Sequence, residues 1–275
     1  MRMDLANIKI IKSLLKKCGI RPNKVLGQHF LVSRHALDAI ITAADLSKKD
    51  TVLEVGPGLG VLTKALAQRA GNVIAVEKDP ALIPILREIL SDYTNLQIIH
   101  DDVLRLPVTR YPLLVTRYKI VADIPYYLTS RFLRIFLETP HQPTHMVLLV
   151  QKEVAMRICA KPPSASLLSN AVQYYAKTEV IEKVKKNSFF PEPKIDSAIL
   201  RLDLIRNYDE KVDKNMFLVL KVAFSGKRKQ IFGSFSKKYG HENVERWLKI
   251  GKIEKNQRPQ EVSLKQWIEL AKQVL

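Results

Sequence analysis

The chain has 275 residues and a mass of 31.4 kDa, is 47% hydrophobic and 26% charged, and so has enough apolar sequence to fill a core; a disordered tail, a collagenous repeat and a disulfide-stapled miniprotein are excluded. Its 45 Lys and Arg against 27 Asp and Glu give a formal charge of +18 and a pI near 9.8, which favours a polyanionic partner, nucleic acid before any other. Cys18 and Cys159 are too few for a disulfide framework or a zinc knuckle and fit a reducing compartment, and no apolar run approaches the ~18–20 residues of a membrane span.

At the start, Ile8, Ile11, Leu14 and Leu15 recur at helical spacing among Lys12, Lys16 and Lys17. This predicts a short amphipathic helix ending at Cys18-Gly19, with Pro22 confirming the stop, and not a signal-peptide core. From Asp50 to Gln151 short apolar runs alternate with helical stretches. Thr51–Val55 is followed by glycines and a helix over Val61–Ala70, and Val73–Val76 ends in Glu77 and leads into a helix from Asp79-Pro80 to about Leu90. Gln97–Ile99 runs into Asp101-Asp102. Lys119–Ala122 runs into Asp123-Ile124-Pro125-Tyr126, then a helix capped by Ser130 and a strand over Met146–Val150. Such alternation predicts βαβ units and a parallel, doubly wound α/β sheet. Beyond Lys161-Pro-Pro163, Val172–Tyr175, Val180–Val184 and Ile195–Leu202 read as strands added antiparallel at the far edge. Arg206–Lys211 reads as a linker, and the remainder is helical. The expected division is a 1–205 cofactor-binding domain and a 206–275 helical domain, the latter carrying 16 Lys and Arg against 8 Asp and Glu, or +8.

The first strand of the alternating region runs into Glu54-Val-Gly56-Pro-Gly58-Leu-Gly60. Glycines between a strand and a helix let the backbone turn tightly and approach a ligand. The spacing G-x-G-x-G is one residue shorter than the dinucleotide fingerprint. Glu77, 21 residues past Gly56, ends the next strand, where a carboxylate can accept both hydroxyls of a ribose. An adenosine-containing cofactor follows, with an empty turn as the bland alternative. Asp102, or Asp101 beside it, stands where the cofactor's adenine amine needs an acceptor.

The turn Asp123-Ile-Pro-Tyr126 separates a methyl donor from a nicotinamide cofactor. An adenine N6 is a poor nucleophile because its lone pair is delocalised into the ring. Acceptors aimed at its N–H groups, the Asp123 side chain and a backbone carbonyl, shift it toward sp3. Pro125 fixes the turn, and Tyr126 offers a face for stacking. Gly27–Leu31 reads as a loop over the cofactor. His141 and His145 are four apart, but Pro140 and Pro143 deny them a helix, so no metal site is expected.

Five ordered segments, Lys24–Leu31, Glu54–Thr63, Asp123–Ser130, Phe189–Ser197 and Phe224–Lys229, together with Arg258–Leu264, resemble the small-subunit ribosomal RNA adenine N6,N6-dimethyltransferases over essentially the whole chain. The resemblance implies a Rossmann-like S-adenosylmethionine-dependent methyltransferase sheet with a small C-terminal helical RNA-binding domain. It implies dimethylation of two adjacent adenines near the 3′ end of small-subunit rRNA within an assembling subunit, with S-adenosylmethionine as cofactor, in a cytoplasmic monomer without membrane contact. By the same resemblance the cofactor contacts fall on Gln28, His29, Leu31, Gly56, Gly58, Glu77, Asp102 and Asp123. Asp123, Pro125, Tyr126 and Phe189 form the catalytic set, the two aromatic rings holding the target base. Two positions depart from the family: Asp123 replaces the usual Asn, and Gln28-His29 replaces a glutamine-asparagine pair. Two other functions share many of these features, a resistance-type large-subunit rRNA adenine methyltransferase and a non-catalytic RNA-binding assembly factor.

Overall fold

The computed structural model describes residues 4–23, 26–105, 111–115, 117–125, 128–205, 210–226 and 229–274. Nine strands lie among them: β1 Phe30–Leu31, β2 Thr51–Val55, β3 Asn72–Glu77, β4 Leu96–His100, β5 Tyr118–Asp123, β6 His145–Gln151, β7 Ala176–Val184, β8 Phe189–Phe190 and β9 Ser197–Leu204. Seven form one sheet in the order β4-β3-β2-β5-β6-β9-β7, and β1 pairs with β8 separately. β2 pairs in parallel with both β3 and β5, β3 with β4 and β5 with β6, while β9 runs antiparallel to β6.

Sequence patterning explains this arrangement. All five residues of β2 are buried, as expected of a parallel strand covered on both faces. The helix Thr129–Leu137 buries Thr129, Phe132, Leu133, Phe136 and Leu137, one stripe at 3.6-residue period. Ile40, Ile41 and Ala44 of the helix Arg34–Ala44 join Val52, Leu66, Val121, Val147 and Ile199 in a continuous core. Because β3 and β4 lie on one side of β2 and β5 and β6 on the other, the winding reverses between β2 and β5. In open α/β sheets a ligand binds outside the carboxyl ends of the strands at such a reversal.

The chain divides into two compact units. One runs to Ala155 and resumes over Glu179–Leu204; the other comprises Met156–Thr178 and the chain from Ile205 onward. The expected boundary at 205/206 therefore needs the addition of residues 156–178 to the helical unit. Val172–Tyr175 is not a strand. Ser166 and Ser169 form a reciprocal capping box that starts a helix over Leu167–Gln173. Leu167, Ala171 and Tyr174 then pack against the cluster of Val219, Phe235, Leu248, Trp267 and Leu270 in the second unit. A smaller difference concerns Ser130, which lies inside its helix. That helix begins at Thr129 without a side-chain cap.

Candidate active site

A pocket opens at the winding reversal. Its floor is the loop after β2, and its walls are the ends of β3, β4 and β5 and the segment Leu26–Leu31. Gly56 has φ +69°, and a Cβ there would lie 3.6 Å from the Asp123 carbonyl oxygen. Gly58 has φ +60°, and its Cβ would press to 3.2 Å from the Phe30 ring. Both conformations favour glycine, and together they let the β2 loop close against β5 and β1.

Carboxylates reach this pocket from the ends of four neighbouring strands, Asp101 and Asp102 both following β4, and their environments differ. Glu77 is 6% exposed. Its Oε1 accepts from Asp79 N at 2.7 Å and its Oε2 from Gly58 N at 3.1 Å. Loss of hydration still raises its pKa, because those backbone donors do not fully replace water. Asp102 accepts from Leu104 N at 3.0 Å and meets Lys78 Nζ at 3.0 Å. Burial works upward on it, but these two partners outweigh burial and hold its pKa below the usual value.

The carboxylate of Asp123, at the carboxyl end of β5, makes no hydrogen bond or ion pair among the described residues. Desolvation pushes its pKa up to about 7. Glu54 is 1% exposed, lines the pocket, and neither of its oxygens has a hydrogen-bond partner. Burial pushes its carboxyl up to about 8. The Thr63 hydroxyl is near enough to moderate the shift without hydrogen-bonding geometry, and the charge of Glu77 adds to it.

Glu54 is the residue that the motif reading passed over. The available signal was an acid inside an otherwise apolar strand, where ionisable side chains are almost never buried unless paired.

Gln28, His29, Leu31, Gly56, Gly58, Glu77, Asp102, Asp123 and Pro125 all line the same pocket. Phe189 does not. It is 3% exposed and packs in the core with Leu31, Ile40 and Val184, because pairing Phe189 with Leu31 and Phe190 with Phe30 seats β8 against β1. Tyr126 lies outside the described residues.

The donor set suits S-adenosylmethionine. That molecule carries a sulfonium and an ammonium against one carboxylate, so a pocket with Glu54, Glu77, Asp101, Asp102 and Asp123 against Lys78 and His29 complements it. The pyrophosphate of a nicotinamide dinucleotide would instead raise the cost of every buried acid.

A profile of the ribosomal RNA adenine dimethylase family matches residues 19–274. The ribosomal RNA small subunit methyltransferase A of Alkaliphilus metalliredigens is 35% identical over 275 residues, spanning 96% of this chain and 95% of its own. That of Clostridium botulinum is 37% identical over 265 residues, spanning 94% and 96%. Among solved structures, the 23S rRNA methyltransferase ErmE has a TM-score of 0.73 at 30% identity, covering 89% of this chain and 99% of its own. A dimethyladenosine transferase from Plasmodium falciparum has a TM-score of 0.73 at 25% identity, covering 88% and 96%. With the profile spanning nearly the whole length and a glycine loop, an acid-lined pocket and an Asp-Ile-Pro turn meeting at the winding reversal, the chain belongs to the ribosomal RNA adenine dimethylase family.

Proposed function

We propose that this protein dimethylates the N6 amines of two adjacent adenines near the 3′ end of small-subunit rRNA, with S-adenosylmethionine as methyl donor, acting as a cytoplasmic monomer on the assembling small subunit. The observation that carries the reading is the unpartnered Asp123 carboxylate, in the same pocket as Glu54, Glu77 and Asp102, in a chain 35–37% identical to small-subunit enzymes over nearly its full length. When bound, the cofactor supplies a methyl group already activated by the positive sulfur. The protein's task is then to expose and orient the nitrogen.

Asp123 Oδ and a backbone carbonyl of the following turn accept from the two N6 hydrogens, which localises the lone pair toward the methyl group. Pro125 fixes that turn, and Tyr126 stacks on the flipped-out base. Glu77 holds the ribose, Asp102 the cofactor's adenine amine and Glu54 the ammonium. Gly56, Gly58 and the Gln28–Leu31 segment close around them. Phe189 stacks on the base only if its ring leaves the apolar cluster, so Phe189→Leu is the test of that role. Methyl transfer at the parent rate would make Phe189 a core residue. The helical domain at 206–275 supplies the RNA-docking charge.

ErmE, at 30% identity, keeps a large-subunit substrate in contention. Transfer of labelled methyl groups to undermethylated small subunits, with large-subunit rRNA in parallel, separates the readings. Label is expected on the small subunit, and Asp123→Ala is expected to cut transfer at least about 100-fold while the protein stays folded. Label on large-subunit rRNA alone would overturn the substrate, and no label with bound cofactor would leave an assembly factor.

A further inference from the structure

We propose that Gln151 is a specificity-determining residue for the methyl acceptor: its side-chain amide donates to a ring nitrogen of the target adenine and fixes the ring while Asp123 holds the amine. The inference deepens the proposed function and rests on that reading, which brings the N6 amine to Asp123.

The sheet sets the position of this side chain. β5 and β6 pair in parallel, with Asp123 in register with Leu149. The pairing persists one residue further, where Ile124 N donates to Leu149 O at 3.2 Å. Gln151 ends β6, two residues beyond Leu149. Side chains alternate along a strand, so Gln151 shares one face of the sheet with Val147 and Leu149 and, across the pair, with Val121 and Asp123. Val121, Val147 and Leu149 pack in a single cluster on that face. Glu54 of β2 is in register with Val121 and belongs to the same face. One strand across and two residues along puts the Cα of Gln151 about 8 Å from that of Asp123. A base held at N6 by the shorter side chain is within reach of the longer one.

Gln151 is half-buried, yet its amide makes no hydrogen bond among the described residues. It does not cap the helix Lys152–Ile158 that starts at the next residue. The backbone around it is fixed, since Gln151 is in register with Ser197 of β9, and Lys152 N donates to Asp196 O at 3.1 Å. An amide without a partner is thus presented from a rigid strand end. It stands outside the lining of the cofactor pocket.

Adenine offers such an amide a matching atom. With both N6 hydrogens taken by Asp123 and the turn carbonyl, the ring nitrogens that flank the amine, N1 and N7, remain as acceptors. Gln151 Nε2 donates to one of them. Guanine presents a carbonyl where the amine should be and an N–H at N1. A base without the acceptor leaves the amide unpaired, and that loss is what discriminates.

The experiment is a cycle between the residue and the ring atom. Small subunits are reassembled with adenine, 1-deazaadenine or 7-deazaadenine at the two target positions. Single-turnover methyl transfer with excess S-adenosylmethionine is measured for the parent, Gln151→Leu and Gln151→Glu. The parent is expected to lose about tenfold or more on one of the two analogues. Q151L is expected to lose as much on adenine, and to lose no more than about twofold further on that analogue, because the contact is already gone. Q151E keeps the shape but replaces the donor with an acceptor, and is expected to fall at least as far as Q151L. Calorimetry is expected to show S-adenosylmethionine affinity within about twofold of the parent in both variants, which also shows that they fold.

Parent transfer to both analogues at the adenine rate would overturn the inference, and that arm needs no variant to fold. Additive losses in the cycle would overturn it too. So would a fall in S-adenosylmethionine affinity as large as the fall in transfer, which would make Gln151 a support of the cofactor pocket. If the parent transfers no methyl group to subunits that carry adenine, the proposed function fails separately.

Discussion

β5 carries a buried or half-buried charge near each end, and the two are treated in opposite ways. Lys119, near its start, is 7% exposed. Its Nζ donates to Ala44 O at 3.3 Å, to Asp45 O at 2.5 Å and to Asp50 Oδ2 at 3.3 Å. Asp123, at its finish, has no such partner, and its carboxyl rises to about 7. β2 beside it repeats the contrast. Asp50, just before it, is under upward pressure from burial, yet the Ser47 backbone and hydroxyl and the Lys119 ammonium bring its pKa below the usual value. Glu54, near the far end, rises to about 8. A buried charge is tolerable when its hydrogen bonds are replaced. The amino end of the sheet replaces them with protein, whereas at the carboxyl ends of β2 and β5 Glu54 and Asp123 are left without such replacements. One end contributes stability and the other costs it.

The largest expected effect tests the satisfied end. Lys119→Met removes three donated hydrogen bonds and strands the Ala44 and Asp45 carbonyls and the Asp50 carboxylate. A loss of about 3–5 kcal/mol is expected by denaturant unfolding, with S-adenosylmethionine affinity of the folded fraction within about twofold of the parent. A loss under about 1 kcal/mol would mean that the amino end is no better satisfied than the other, and the contrast would collapse.

The unsatisfied end is tested by pH. Asp123 and Glu54 have folded pKa values above those of the unfolded chain. Between the unfolded and folded values the native state therefore holds protons that the unfolded chain has released, and stability falls as pH rises through that window, levelling above about 7 for Asp123 and about 8 for Glu54. Asp123→Asn removes its share of that slope. The variant is expected to be more stable than the parent at pH 8, by up to about 4 kcal/mol, with the advantage gone near pH 4. Asp50→Asn is expected to move the other way. The depressed pKa of Asp50 adds stability above its unfolded value, and that contribution disappears as pH falls. Parallel unfolding-against-pH curves for Asp123→Asn and the parent would show that Asp123 already has a partner.

How much of this was legible in the sequence depends on the range of the interactions. The alternating runs from Thr51 to Val150 identified the parallel sheet because a strand covered on both faces is apolar throughout. The same logic hid Glu54, since a single acid inside Thr51–Val55 reads as a blemish in an apolar run. Val172–Tyr175 misled because a β-branched residue beside two tyrosines resembles a strand, while the deciding signal, the Ser166–Ser169 box, lies before it. Which of two consecutive phenylalanines faces the core depends on the pairing of β8 with β1, and nothing local to Phe189-Phe190 specifies it. The contact of His29 with Pro191 spans 162 residues of sequence and has no local trace.

Next in size is Glu77, the carboxylate proposed for the ribose, which falls between the two extremes because its oxygens are occupied by backbone donors and still have capacity to accept more. Glu77→Ala is expected to weaken S-adenosylmethionine binding by about 1.5–3 kcal/mol, the worth of hydrogen bonds to a charged acceptor. Calorimetry checks it. Unchanged affinity would mean that Glu77 serves only to fix Gly58 and Asp79, and the carboxyl end would hold one more satisfied structural charge.

The smallest effect concerns the surface, where charges are neither satisfied by protein nor buried. The chain is basic overall while its pocket is acidic, so the positive charge must lie elsewhere. Lys227-Arg228-Lys229 is the densest basic run of the helical domain. Lys227 and Arg228 lie outside the described residues, and Lys229 is exposed. The N-terminal helix Ile8–Lys17 offers the competing set, but two of its lysines have neighbours already. Lys17 Nζ is 3.3 Å from Glu88, and Lys12 Nζ is 5.0 Å from the Phe190 ring centroid. An RNA phosphate must displace or share those contacts. Phosphate neutralisation releases counterions, so each lysine or arginine that docks steepens the dependence of affinity on salt. Replacing Lys227, Arg228 and Lys229 with glutamine is expected to flatten the slope of log affinity against log salt by about 1 to 3, with cofactor affinity unchanged. A parent slope in the triple variant, together with a flattened one in Lys12→Gln, Lys16→Gln, Lys17→Gln, would move the docking charge to the N-terminal helix.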